Sequence, residues 1–153
     1  MKLAQLVERK RSSGRGSIYS IQPYASVREV VRLLCEHHVG ALLVVDDAQE
    51  VRGIVTERDV LNMIHTRSSN LEDVRVEEIM TRKVAIAESE DTIQHALQVM
   101  SEEGIRHLPV GDDNGIVAVL SITDLLHALY NQDEICIRHM GDMFSGSHGL
   151  KVF

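Results

Sequence analysis

The feature that most constrains this chain is a pattern it uses twice. From Ile105 the sequence runs Ile-Arg-His-Leu-Pro-Val, reaches an Asp-Asp-Asn-Gly turn, and returns as Ile-Val-Ala-Val-Leu-Ser-Ile-Thr-Asp, ending at Asp124. From Val39 to Asp59 the same order occurs: Val-Gly-Ala-Leu-Leu-Val-Val, a polar turn, and Val-Arg-Gly-Ile-Val-Thr-Glu-Arg-Asp. Each copy reads as strand, hairpin turn, strand, and the start of a helix.

The duplication extends beyond the hairpins. Val27, Val30, Val31 and Leu34 form one helical apolar stripe, and Ile93, Ala96, Leu97 and Met100 reproduce it at an offset of 66. After the hairpin, Val60, Leu61 and Ile64 return as Leu125, Leu126 and Leu129 at an offset of 65, so the second turn has lost one residue. Turns tolerate such changes at little cost. A strand precedes each first helix, at Ser17–Ile21 and at Val84–Ala87, with Ser26 an expected N-cap. The repeated unit is therefore β-α-β-β-α. Helices on one face of a three-stranded sheet leave its other face bare, and two copies can cover those faces with each other. The expected fold is α/β (α+β): two units about a pseudo-twofold axis, small sheets packed together, helices outside, and paired clefts between the halves.

The expected division is an N-terminal helical segment at 1–13, with Leu3, Leu6 and Val7 on one side, repeat 1 at 14–66, and a linker at 67–83 with a short helix near 76–80. Repeat 2 follows at 84–131. A tail at 132–153 is expected to be partly helical around Ile135, Met140, Met143 and Phe144, and flexible over 145–149. Only 3% of the 153 residues are aromatic, so the core must be aliphatic. No apolar run approaches the ~20 residues of a membrane span, and the charged N-terminus does not read as a secretory signal. A net charge of −7 argues against a nucleic-acid-coating protein. Cys35 and Cys136 read as free thiols in a reducing, cytoplasmic compartment. The eight histidines show no zinc spacing. No Ser-His-Asp or Cys-His arrangement points to catalysis.

Two motifs carry candidate chemistry. Thr56-x-x-Asp59 and Ser121-x-x-Asp124 open the second helix of each unit. A capping box accounts for that spacing by itself. A carboxylate in the first helical turn can also accept both hydroxyls of a ribose, beside N–H groups that suit phosphate. Arg106-His107 begins a strand that faces the cleft, and a guanidinium suits phosphate. The matching positions in repeat 1, Gly40-Ala41, carry no charge. Unequal sites are expected, unless Arg15 or Arg58 reaches in.

With Gly53-Ile-Val-Thr-Glu-Arg-Asp59 and Arg106-His-Leu-Pro-Val110 in this order and spacing, residues 14–131 resemble a tandem pair of cystathionine-β-synthase (CBS) domains, a Bateman module of the small stand-alone bacterial type. The resemblance implies a non-catalytic module that binds an adenine nucleotide in clefts shared between repeats. One cleft would join Thr56, Arg58 and Asp59 to Ala85, Arg106 and His107. The other would join Ser121, Thr123 and Asp124 to Tyr19, Gly40 and Ala41. The aspartates would hold ribose, the basic pair phosphate, and the Tyr19 and Ala85 backbones the adenine edge, with Thr81, Arg82 and Lys83 as further contacts. AMP, ADP, ATP, NAD and S-adenosylmethionine all remain open as ligands. The resemblance also implies a homodimer packed through helical faces and a regulated protein partner, with residues 1–13 and 132–144 as extra surfaces. The rival readings are a structural module with empty clefts and a small nucleotide-acting enzyme.

Overall fold

The computed structural model describes residues 1–67 and 69–141, with side chains as far as Asn131. The elements run α1 (Leu3–Ser12), β1 (Ser20–Ile21), α2 (Val27–His37), β2 (Ala41–Val45), β3 (Val51–Thr56), α3 (Glu57–Thr66), β4 (Ala87–Glu88), α4 (Ile93–Glu102), β5 (His107–Asp112), β6 (Gly115–Ser121) and α5 (Ile122–Gly141). A single 3-10 turn, Val76–Glu78, lies between α3 and β4. β1-β2-β3 form one sheet and β4-β5-β6 the other. In each, the first strand pairs parallel and the hairpin antiparallel.

The internal symmetry reaches individual hydrogen bonds. Ser26 Oγ accepts from the Glu29 N–H at the start of α2, and Thr92 Oγ1 accepts from the His95 N–H at the start of α4. Past the helix ends, His38 and Gly104 both take left-handed backbone conformations. There Val39 N–H bonds the Leu34 carbonyl and Ile105 N–H the Met100 carbonyl, which closes both helices in the same way.

Alternation along the strands divides the buried residues into two sets. Leu42, Val44 and Val55 face α2 and α3, and Leu108, Val110, Ala118 and Leu120 face α4 and α5. Ala41, Leu43 and Ile54 on the opposite face are equally buried but belong to neither helical core. This matches two sheets set face to face. Contacts between the halves include Gly40, where an added Cβ would lie 2.7 Å from His107 Nε2.

The two connecting segments differ from expectation. Leu3, Leu6 and Val7 are buried in the core of repeat 2, and Val74, Val76 and Met80 in the core of repeat 1. Leu3 N–H donates to Asp91 O, Ala4 N–H to Ser89 O, and Ile93 N–H to Met1 O. In the other half, Val76 N–H donates to Ala25 O, Glu77 N–H to Pro23 O, and Val27 N–H to Val74 O. The acceptor loops are 66 apart and the docking segments 73 apart. Residues 1–7 and 74–80 are thus equivalent clasps, each completing the repeat that does not immediately follow it. The segment 67–83 is structural rather than a spacer, and the apolar side of residues 1–13 is covered within the chain. Beyond the clasps the halves diverge. The Thr81 backbone bridges the Ile54 backbone at the edge of sheet 1, whereas Lys10 Nζ and Arg11 Nη2 donate to the Val119 and Val117 carbonyls at the edge of sheet 2.

Several local expectations also change. The first strands are two residues each, because only Ser20–Ile21 and Ala87–Glu88 enter the ladders. Leu61, Ile64 and Leu126 point outward, 66%, 54% and 51% exposed, and Val60, Met63, Leu125 and Ala128 fill the core instead. α5 continues through the expected boundary at 131 to Gly141. The expectations for the side chains of Ile135, Cys136 and Met140, and for residues 143–149, lie outside the described residues.

Candidate functional site

Each Ser/Thr-x-x-Asp motif forms at the junction of a buried strand and a helix. At the start of α3, Thr56 N–H and Oγ1–H donate to Asp59 Oδ2 at 2.7 and 2.8 Å. At the start of α5, Ser121 N–H and Oγ–H donate to Asp124 Oδ2, both at 2.8 Å. The capping role is therefore real. It uses only one oxygen of each carboxylate; Oδ1 of Asp59 and of Asp124 accepts no hydrogen bond among the described residues.

Cleft 1, of about 290 Å³, is lined by Thr56, Arg58 and Asp59 from one repeat and Ala85, Arg106 and His107 from the other. These are the six residues expected together. Thr81 and Lys83 also line it, whereas Arg82 turns away to bond the Glu77 carbonyl. Arg58 reaches across to the Gly104 carbonyl at 3.3 Å. Arg106 stands 4.0 Å from Glu57, both largely exposed, so this pair adds little stability and leaves the guanidinium accessible.

The Ala85 backbone has a distinctive environment. In repeat 1 the Leu43 N–H donates to the Tyr19 carbonyl at 3.1 Å. The equivalent of Leu43 is Pro109, which has no N–H. The Ala85 carbonyl accepts no hydrogen bond among the described residues. It is an acceptor suited to an exocyclic amine.

Cleft 2, of about 480 Å³, is lined by Tyr19, Gly40 and Ala41 with Ser121 and Asp124. Five of the six expected residues meet there. Thr123 is exposed and does not line the cleft. Tyr19 contributes its ring as well as its backbone, stacked on His37 at a centroid distance of 3.9 Å. Lys10, Arg15, His37 and His38 also line the cleft. Arg15 reaches in, the exception the sequence allowed, and Lys10, which the sequence did not single out, arrives with it from the N-terminal segment. Lys10 Nζ donates to Asp124 Oδ2 at 2.9 Å and to the Val119 carbonyl at 3.0 Å. Lys10 and Asp124 are 114 residues apart, and no local pattern signals their meeting.

Burial pushes the Asp124 carboxyl up, but hydrogen bonds from Lys10 and Ser121 outweigh it and hold the group below its ordinary value. His107 lines both clefts. Burial lowers its imidazole pKa; Glu57 opposes this and Arg106 adds to it. Among the described residues, no group of three metal-ligating side chains comes together. No described helix is long and apolar enough to cross a membrane.

Comparison with known proteins agrees with this architecture. The family description that matches is the CBS domain, over residues 15–66 and 76–131. A CBS-domain protein of known structure from Burkholderia ambifaria is 36% identical and superposes with a TM-score of 0.78, covering 84% of this chain and 93% of its own. A 17.7 kDa protein of Acidianus ambivalens is 34% identical over 113 residues, 73% of this chain and 67% of its own. CBSX3 of Arabidopsis thaliana, named as mitochondrial, is 29% identical over 150 residues, 95% of this chain and 73% of its own. The CBS pair of protein MJ0100 shares the fold at 23% identity and a TM-score of 0.69, covering 86% of this chain and 98% of its own. It was solved with 5-methylthioadenosine and S-adenosyl-L-methionine.

Proposed function

Because the chain belongs to the CBS domain family, carrying two copies of the unit as a regulatory pair, we propose that it is a non-catalytic sensor of adenine nucleotides of the AMP, ADP, ATP or NAD type. Cleft 1 carries this reading. There a carboxylate with one uncommitted oxygen (Asp59), four cationic or basic groups (Arg58, Lys83, Arg106 and His107) and the unbonded Ala85 carbonyl line one space. Ribose, phosphate and adenine amine each have a matching partner in that set. The adenosine-type ligands of the MJ0100 pair support the same ligand class.

Occupancy would change the packing of the repeats, or of two copies of the chain. A ligand drives such a change only through differential affinity for the two states. The exposed Leu61 and Ile64 on α3 and Leu126 and Tyr130 on α5 provide an apolar surface for a homodimer. A regulated protein partner and a cytoplasmic setting complete the proposal.

The test is a thermal-shift and calorimetric series with AMP, ADP, ATP, NAD and S-adenosylmethionine on wild type, Asp59→Ala and Asp124→Ala. Each substitution also removes the carboxylate that accepts from Thr56 or Ser121 at the helix start, so ligand-induced increments are compared, not absolute Tm values. Ligand at ~100 times its Kd should add about 2.7 kcal/mol, several degrees here. Absence of any increment with all five would refute the proposal and favour a structural module whose motifs only cap helices.

A further inference from the structure

The two clefts obtain their positive charge from different parts of the chain. Cleft 1 takes Arg58 from α3 and Arg106 from the start of β5. The equivalent residues at cleft 2 are Thr123 and Gly40, both uncharged. Cleft 2 instead receives Lys10 from α1 and Arg15 from the turn beyond it. Lys10 and Lys83 each line their own cleft from the segment that follows a clasp. Lys83 has no ion pair to Asp59 among the described residues, whereas Lys10 is fixed against Asp124 with about a fifth of its side chain exposed.

We propose that Lys10 and Arg15 are the anion-binding residues of cleft 2, so that a phosphate-bearing nucleotide binds there only when the N-terminal helix is docked. The inference rests on reading the clefts as nucleotide sites. An ammonium has three N–H donors. Lys10 uses one on Asp124 Oδ2 and one on the Val119 carbonyl, so one remains to donate to a ligand oxygen. Asp124 keeps Oδ1 to accept from a ribose hydroxyl. The pair thus offers a donor and an acceptor side by side, as a ribose phosphate requires. Arg15 adds a second cation on the same wall. Lys10 is held in place because Leu3, Leu6 and Val7, one to two turns earlier on α1, are buried in repeat 2. Undocking α1 withdraws both cations from cleft 2 and leaves those of cleft 1 in place. By linkage, a nucleotide in cleft 2 stabilises the docked helix.

The experiment measures ADP and adenosine binding by calorimetry to the full chain as wild type, Arg106→Ala, Lys10→Met, Lys10→Arg, Arg15→Ala and Asp124→Ala. Hydrogen exchange is followed over residues 1–13 with and without ADP. Lys10→Met and Arg15→Ala should each weaken ADP about tenfold or more at the site that Asp124→Ala abolishes, the scale of one charged hydrogen bond. They should change adenosine less than about threefold, and Lys10→Arg should retain ADP binding. ADP should slow exchange over 1–13 in wild type and not in Arg15→Ala, which leaves the buried face of α1 intact. Unchanged ADP affinity in both Lys10→Met and Arg15→Ala, at an Asp124-dependent site, would overturn this inference and leave the nucleotide reading standing. Failure of wild type to bind ADP would overturn this inference alone; the nucleotide reading falls only if AMP, ATP, NAD and S-adenosylmethionine fail to bind as well.

Discussion

Substituting Leu3 by Ala tests the clasp directly. A third residue would ordinarily fray, and truncating its side chain would cost nothing measurable. Here Leu3 is fully buried in the core of repeat 2, and its N–H is bonded to the Asp91 carbonyl. Truncating a buried Leu to Ala costs about 2–5 kcal/mol, depending on how far the site collapses. α1 is a short helix with three buried side chains and can settle partway into the cavity, which places the expected cost near the middle, about 3 kcal/mol. For a domain of this size each kcal/mol lowers Tm by about 2–4 °C, so thermal unfolding by circular dichroism should move down about 6–12 °C. Amide exchange should locate the loss: the loop at 89–93 and the start of α4 should open first, while repeat 1, whose clasp is 74–80, keeps its protection. A Tm change under about 2 °C, or loss of protection confined to residues 1–12, would show that α1 is an appendage.

Two further outcomes follow from charge and exposure. The Asp124 carboxyl is held below its ordinary value, so its ionised form stabilises the fold. That contribution is complete above the ordinary carboxylate pKa of about 3.9 and is lost as the pH falls through the lower folded value. Tm should therefore fall more steeply with acid below about pH 4 in wild type than in Asp124→Asn, and parallel curves would contradict the assignment. Leu61→Glu combined with Leu126→Glu places charge on the exposed apolar face while leaving both cores untouched. Light scattering should then report a monomer with nearly unchanged Tm per chain; a dimer that persists would place the interface elsewhere.

The parts of the molecule built from local signals were legible in the sequence. Period-3.6 stripes, two polar turns and matched Ser/Thr caps placed α2, α4, both hairpins and the paired motifs, and the clefts at the motif ends collected eleven of the twelve expected site residues. Other features depended on long-range contact. A stripe of Val60, Leu61 and Ile64 shows that a helix has an apolar side, but not whether that side meets its own core or another surface. Leu61 and Ile64 lie outside the core, and Met63 inside. The clasps leave little trace in the sequence, because only three apolar positions carry the likeness. Leu3 matches Val76, Leu6 matches Ile79 and Val7 matches Met80, at an offset unlike that of the rest of the repeat. Lys10 carries no local signal for the same reason: its contact with Asp124 depends on where α1 docks.

The crossed clasps also impose an order on synthesis. As the chain leaves the ribosome, repeat 1 has everything it needs once Met80 has emerged, because its closing segment follows it directly. Residues 1–7 are made before repeat 1, yet their binding surface includes Ile93, Leu108, Leu120 and Leu125, which are made after it. That segment must therefore wait unpaired until repeat 2 has emerged, with Leu3, Leu6 and Val7 exposed, and its docking completes repeat 2. A nascent chain stalled near residue 100 would carry a folded first half and an undocked α1. Docking of that apolar segment therefore requires that the second half has formed.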